Sequence, residues 1–163
     1  MKLEILEKEN YEIDKVRKSI KDIISSNKLL SMSTVADDIP HINTCFYAFD
    51  EEMNLYILTP PETEHGKKLE QNDSVAVDIH DSNQEWTDEK QGLQIFGRCR
   101  KADDREKGLE IYSGRFPTLE EFASGVEELE DLNSDFYIID PERIKVFDEP
   151  RFGKETWIEV ELS

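Results

Sequence analysis

Cysteine is nearly absent: Cys45 and Cys99 are the only two in 163 residues. Two thiols make no disulfide framework, so the expected compartment is the reducing cytoplasm. Long apolar runs are missing as well. No stretch approaches the roughly 18 residues that span a bilayer, and the opening MKLEILEKENYEIDK is charged throughout, unlike the apolar centre of a secretory signal. Bases are scarce. Twenty Lys and Arg against thirty-eight Asp and Glu leave a formal charge of −18 and a pI near 4.5. Such a surface repels phosphate backbones and anionic lipid, which excludes nucleic acid and membranes as expected partners. Several signatures are absent too: there is no G-x-S-x-G, Walker A, G-x-G-x-x-G, C-x-x-C or H-E-x-x-H. A nucleotide held in a Rossmann or P-loop site is therefore not expected.

What is present is enough for one domain with a core. Hydrophobic residues make up 37% and aromatics 9%, which argues against disorder. Ile13, Val16, Ile20, Ile23 and Ile24 recur at helical spacing, with Asn10 as a possible cap. Leu29–Val35, His41–Phe49 and Met53–Thr59 read as three strands joined by short acidic turns, at 37–40 and 50–52. Pro60-Pro61 stops the sheet, and a short helix follows over Glu62–Gln71. Ser74–His80 alternates cleanly as a fourth strand. Gly92–Arg100 is a fifth, whose two glycines suggest a bulge or a close backbone approach. Capping boxes at Asp103–Glu106 and Thr118–Glu121 open two helices. The second carries the stripe Leu119, Phe122, Val126, Leu129 and a run of acids best read as a solvated face. The end returns to strands at Ser134–Ile139, Arg143–Phe147 and Thr156–Val160. Many short strands without a βαβ rhythm predict a Greek-key barrel with peripheral helices.

Three groups of residues offer chemistry. His41, Asp78 and His80 are of metal-ligating type, but the tail of the fourth strand reads better as a strand end near solvent, so no metal is expected. Cys45 sits in a strand with nothing nearby to depress its pKa, and reads as a small core residue. Thr63-Glu64-His65-Gly66-Lys67-Lys68 opens the short helix after the two prolines. Its amides, with Thr63, His65 and Lys67, suit an anion. The competing reading is a plain surface helix with solvated lysines.

The order of these pieces resembles the pyridoxamine 5′-phosphate oxidase-like family, the FMN-binding split β-barrels. The resemblance runs through LLSMSTV, IPHINTCFYAFD, LYILTPPETEHGKKLEQNDSVAVDI and GLQIFGRCR, from Leu29 to Arg100. YSGRFP and RFGKETWIEV look like a small bacterial branch of it. The resemblance implies a mainly β fold with peripheral helices, a split β-barrel of six antiparallel Greek-key strands. It implies one domain over residues 1–163: an N-terminal helix over 1–27, barrel strands over 28–101, helices over 103–132, and closing strands with a tail over 134–163. It further implies a cytoplasmic homodimer with FMN in the groove between two chains, working as a small oxidoreductase on a nicotinamide donor or small substrate.

By position, the resemblance assigns flavin contacts to Asn43, Thr44, Cys45 and Phe46, to Leu58 and Thr59, and to Gln94. The family's Ser-Arg-Lys phosphate grip falls on Thr63, Glu64 and His65, with Lys67 close by. Glu64 thus replaces a bidentate cation, a loss worth about 1.5–3 kcal/mol. Lys67, or Arg151 or Lys154 of a second copy, is the expected compensation. Catalytic residues are not assigned, although Tyr112, Arg115 and Trp157 suit a pocket wall, and Phe46, Tyr47 and Phe96 suit the groove. The alternatives are a flavin-free ligand-binding or interaction module on the same barrel, and a haem- or deazaflavin-binding relative.

Overall fold

The computed structural model describes residues 2–6, 11–121 and 133–163. Among these, nine strands form one antiparallel sheet. They are β1 (Leu3–Ile5), β2 (Leu29–Ala36), β3 (Ile39–Phe46), β4 (Ala48–Phe49), β5 (Leu55–Thr59), β6 (Ser74–His80), β7 (Gln91–Lys101), β8 (Asp135–Asp148) and β9 (Trp157–Leu162). The helices are α1 (Ile13–Ser26), α2 (Glu64–Gln71), α3 (Arg105–Arg115) and the single turn α4 (Glu149–Phe152), with a 3-10 turn over Pro117–Glu121. The strand order is β1-β9-β8-β7-β6-β2-β3, with β5 pairing both β8 and β4.

Alternation decides which face turns inward. Leu30, Met32, Thr34 and Ala36 of β2 are buried, as are Val75, Val77 and Ile79 of β6 and Leu93, Ile95 and Cys99 of β7. Ile20, Ile23 and Ile24 of α1 and Leu69 of α2 join that same core. A second cluster packs Ala48, Tyr56, Tyr112 and Phe136 under α3. β3 and β5 lie side by side but form no ladder, so the sheet does not close on itself there.

The β2–β3 turn is tighter than its acidic, proline-containing sequence suggests. Asp37 and Asp38 both take positive φ, 51° and 59°, which Asp tolerates better than most residues. Two such residues complete a hairpin turn whose twist matches the strands. Ile39 and Pro40 therefore belong to β3, opposite Ala36 and Val35.

The segment Asp140-Pro141-Glu142 also departs from expectation. Instead of joining two strands it lies inside one strand of 14 residues. The ladder with β7 shifts register between Phe96 and Gly97, so Phe96 faces Arg143 while Gly97 faces Pro141. The bulge absorbs the proline, which has no N–H to give to a ladder. A Cβ on Gly97 would lie 2.1 Å from the Asp140 carbonyl oxygen. This is the close approach that the glycine of the fifth strand foreshadowed. The first half of β8 pairs with β5 and the second half with β9, so β8 carries the sheet round a corner.

Two further differences lie at the termini of elements. Residues 3–5 form a strand on β9, although the N-terminus reads as purely helical. Three residues among charges are too short to show an alternation. α1 starts at Ile13 with Glu12 in the cap position and no side-chain cap, and Asn10 lies outside the described residues. Asp104 caps α3 by accepting from the Lys107 amide at 2.9 Å. The helical stripe expected at Phe122, Val126 and Leu129, and the acidic run beside it, lie outside the described residues.

Candidate functional site

The residues assigned from the sequence divide between two places. The first is the end of the barrel where β3 and β5 fail to pair and α2 begins. Pro60-Pro61 ends β5, and Thr63 caps α2 by accepting from the Gly66 amide at 3.2 Å while donating to the Pro60 carbonyl at 2.8 Å. Gly66 is required by that fold-back, since a Cβ there would lie 2.3 Å from the Pro61 carbonyl oxygen. The close turn swings His65 inward. Its Nε2 is 2.7 Å from Thr59 Oγ1 and 3.1 Å from Thr63 Oγ1. Thr59, Thr63 and His65 thus converge, and the Glu64 and His65 amides at the start of α2 lie beside them.

His41 of β3 completes this group, and the sequence assignment of the site missed it. Its ring lies parallel to that of His65, with centroids 6.0 Å apart and planes 14° apart. Its Nδ1 is 3.3 Å from the Glu64 carboxylate. Glu64 also lies 3.8 Å from the Lys68 ammonium, which is largely buried and donates to the Ile39 carbonyl at 3.1 Å. Burial lowers the His65 pKa, the neighbouring His41 lowers it further, and Glu64 partly offsets both. The signal for His41 was its place in the Pro-His lead-in to β3. By residue type His41 groups with Asp78 and His80, but β3 turns it inward whereas they face outward.

Asn43 and Cys45 follow His41 on the inward face of β3. Asn43 Nδ2 lies 3.7 Å from the Cys45 sulfur, and its Oδ1 is buried without a partner. Burial pushes the Cys45 thiol up to about 12, which fits an inert core thiol better than a nucleophile. Lys67 does not reach the cluster: it pairs with exposed Glu62 at 3.6 Å. Leu58 packs the other way, against the cluster under α3. Within its own chain Arg151 is bound to Asp22 at 2.8 Å and to Asp148 at 3.3 Å.

The second place is the outward face of the sheet. Thr44, Ser31, Asp78, Gln94 and Lys145 stand in one row across five strands. The Thr44 and Ser31 hydroxyls are 3.0 Å apart. Ser31, Ser33, Ile42, Asp78, Gln94 and Phe96 line a shallow cavity of about 330 Å³. Asp78 touches His80 Nδ1, and both are exposed. Arg143 lies over the Phe96 ring, 4.2 Å from its centroid. Ile42 is 68% and Phe46 52% exposed on this face. Phe46 packs edge-on against Phe116. Tyr47, expected beside it in the groove, is fully buried and donates to the Ile24 carbonyl at 2.7 Å. Tyr47 lies in the one-residue break between β3 and β4, where the chain turns its ring inward. Trp157 stacks on Phe147 at 4.2 Å, away from Tyr112.

This sheet, corner and interrupted barrel define a mainly antiparallel β protein of the split-barrel type. The chain belongs to the pyridoxamine 5′-phosphate oxidase family, whose model matches residues 16–148. It is 31% identical over 84 residues to UPF0306 protein PM1958 of Pasteurella multocida, a match covering 51% of this chain. The match spans 56% of that relative's length. Among solved structures it is similar to a candidate pyridoxamine 5′-phosphate oxidase of Listeria innocua, with a TM-score of 0.66 and 20% identity over 80% of this chain and 97% of that one. It also resembles a heme binding protein of Mycobacterium smegmatis, with a TM-score of 0.71 and 10% identity over 92% of this chain and 59% of that one. At these identities the structural likeness concerns the fold. No helix among the described residues is long and apolar enough to cross a membrane.

Proposed function

We propose that the chain is an FMN-binding flavoprotein acting as a homodimer, with the phosphate at the start of α2 and the flavin along β3 towards Gln94. The observation that carries this reading is the convergence of Thr59, Thr63 and His65 beside the first amides of α2. The Thr59 hydroxyl, an imidazole and helix-start amides are donors suited to a phosphate monoester. Glu64 opposes the phosphate, but His41 and Lys68 already engage its carboxylate. The residues present therefore fit the group without the family's arginine.

When bound, flavin supplies hydride or electron transfer with a reduced nicotinamide or a small substrate. The chain's contribution is binding and orientation. Gln94 and Thr44 offer hydrogen bonds on the outward face. Ile42, Phe46 and Phe96 offer apolar cover there. A patch of that kind also favours a second copy as its lid, which supports the dimer.

The test is titration of FMN fluorescence with wild type and with Glu64→Arg. Wild type should bind FMN. The variant should bind about tenfold tighter, because a fork of donors replaces a repelling charge. Absence of binding in both would overturn the reading. A Soret band in freshly purified protein would point instead to haem. The charge of −18 and Glu64 favour a second reading, a flavin-free interaction module, and binding by neither variant is its signature.

A further inference from the structure

We infer that His41 and His65 form a proton-gated anion clamp, so that the chain holds a phosphate or sulfate group tightly only when the two imidazoles are protonated. The inference rests on the phosphate placement proposed above and adds its charge source.

The fixed charges at the start of α2 cancel. Glu64 is set against Lys68, and Glu62 against Lys67. Among the described residues no arginine pairs with this group to supply permanent positive charge. What remains is the imidazole pair, parallel and 6.0 Å apart, on two elements that meet where the barrel is split. This spacing suits two donors converging on one tetrahedral anion better than a direct ring-to-ring stack. His65 Nε2 already meets two hydroxyls; Thr63 gives its hydrogen to the Pro60 carbonyl, whereas Thr59, on accepting from the imidazolium, turns its own to an anion. A second, independent feature points to a ligand. Thr34 stands directly opposite His41 in the β2–β3 ladder, is 1% exposed, and has an Oγ1 without a partner. A buried hydroxyl of this kind costs stability unless something satisfies it.

Glu64 faces His41 Nδ1 at 3.3 Å and competes with the anion for it; the remaining titratable groups on the surrounding elements do not. β3 adds Cys45, whose thiol stays protonated. β2 adds no titratable group. The inward face of β7 adds Cys99, again held protonated by burial. Asp37 and Asp38 lie in the exposed β2–β3 turn, and Glu70 is exposed on α2. Two like charges 6 Å apart repel, and burial opposes each. Both costs fall when a dianion sits between them, so anion binding raises the imidazole pKa values. Affinity then rises as pH falls through the values of the bound state.

The experiment combines two readouts on the full-length protein. NMR titration of the three histidines with and without inorganic sulfate, which stays a dianion, follows the site directly. His80, on the opposite face, is the internal control. FMN and riboflavin titrations at about pH 8 and pH 6 follow the ligand. The expected result is that sulfate raises the pKa of His41 and His65 but not of His80. FMN should bind about tenfold tighter at the lower pH, as one linked proton gives up to tenfold per unit. Riboflavin, lacking the phosphate, should change less than about twofold. His41→Gln and His65→Gln, checked for folding by circular dichroism, should each flatten the FMN profile. Tight FMN binding with no pH dependence and unmoved His41 and His65 would overturn the clamp and leave the flavin reading intact. Sulfate shifts on both histidines without FMN binding would support the clamp and sink the flavin reading. Shifts on none of the histidines and no binding would overturn both.

Discussion

Arg115 fastens α3 to the end of α1, and its removal has a magnitude that can be worked out. Its guanidinium lies over the rings of Phe49 and Tyr47, 4.7 and 5.0 Å from their centroids. It donates to the carbonyls of Ile24 at 3.2 Å, Ser25 at 3.4 Å and Asn27. These carbonyls belong to the last turn of α1 and the residue beyond it, where a helix has acceptors to spare and a partial negative charge. No carboxylate neutralises the cation among its described partners, and burial lowers its pKa. Folding therefore gains charge-assisted hydrogen bonds, each worth about 1.5–3 kcal/mol, and stacking worth about 0.5–2 kcal/mol. It loses part of this to desolvation of an unpaired charge. Tyr47 also donates to the Ile24 and Asn27 carbonyls, so two acceptors keep a partner when Arg115 goes. The net loss for Arg115→Ala is accordingly about 2–4 kcal/mol, which also includes the void left between the rings. Arg115→Met should lose less, about 1–2 kcal/mol, because an unbranched apolar chain refills the space without a desolvation cost. Urea denaturation at neutral pH, with the slope of the transition checked for constancy, measures both. If methionine proves as costly as alanine, the carbonyl bonds dominate and the desolvation argument is wrong. If alanine costs less than about 0.5 kcal/mol, the clamp itself is wrong. Phe116, next in the chain, packs on Phe46, so Arg115 also bears on the outward face where a flavin ring is proposed.

Gly97→Ala should destabilise the fold by about 2–4 kcal/mol, because its Cβ would meet backbone 2.1 Å away at the β8 corner; a change under about 1 kcal/mol in the same urea assay would show that the bulge relaxes freely. Cys45, with its thiol up near 12, should react with iodoacetamide at about pH 8 roughly a thousandfold more slowly than an ordinary exposed thiol. Peptide mass mapping of native protein measures this, and rapid labelling of Cys45 without unfolding would reopen the case for a reactive cysteine.

Much of this protein is written locally in the sequence. The strand over Ser74–His80 matches its alternation residue for residue. The α1 stripe and the glycine of the bulged strand are likewise legible, because periodicity and close approach act over a few residues. The run of family-like segments from Leu29 to Arg100 is ordered along the chain, so it too needs no tertiary knowledge. Other features depend on what lies across from a residue. Asp140-Pro141-Glu142 reads as a joint, and only the bulge opposite Gly97 allows it to stay in a strand. Tyr47 reads as a neighbour of Phe46 in one groove, yet the two face opposite sides, and Tyr47 spends its hydroxyl on α1. Residues 3–5 become a strand only because β9 offers an edge. At the candidate site, sequence spacing brought Thr63 and His65 together but assigned Lys67 to them and left His41 out. Lys67 turns to Glu62, whereas the β2–β3 hairpin carries His41 to within ring distance of His65. Twenty-four positions separate those two histidines, and no local rule spans them. Burial and the register of the sheet made them a pair.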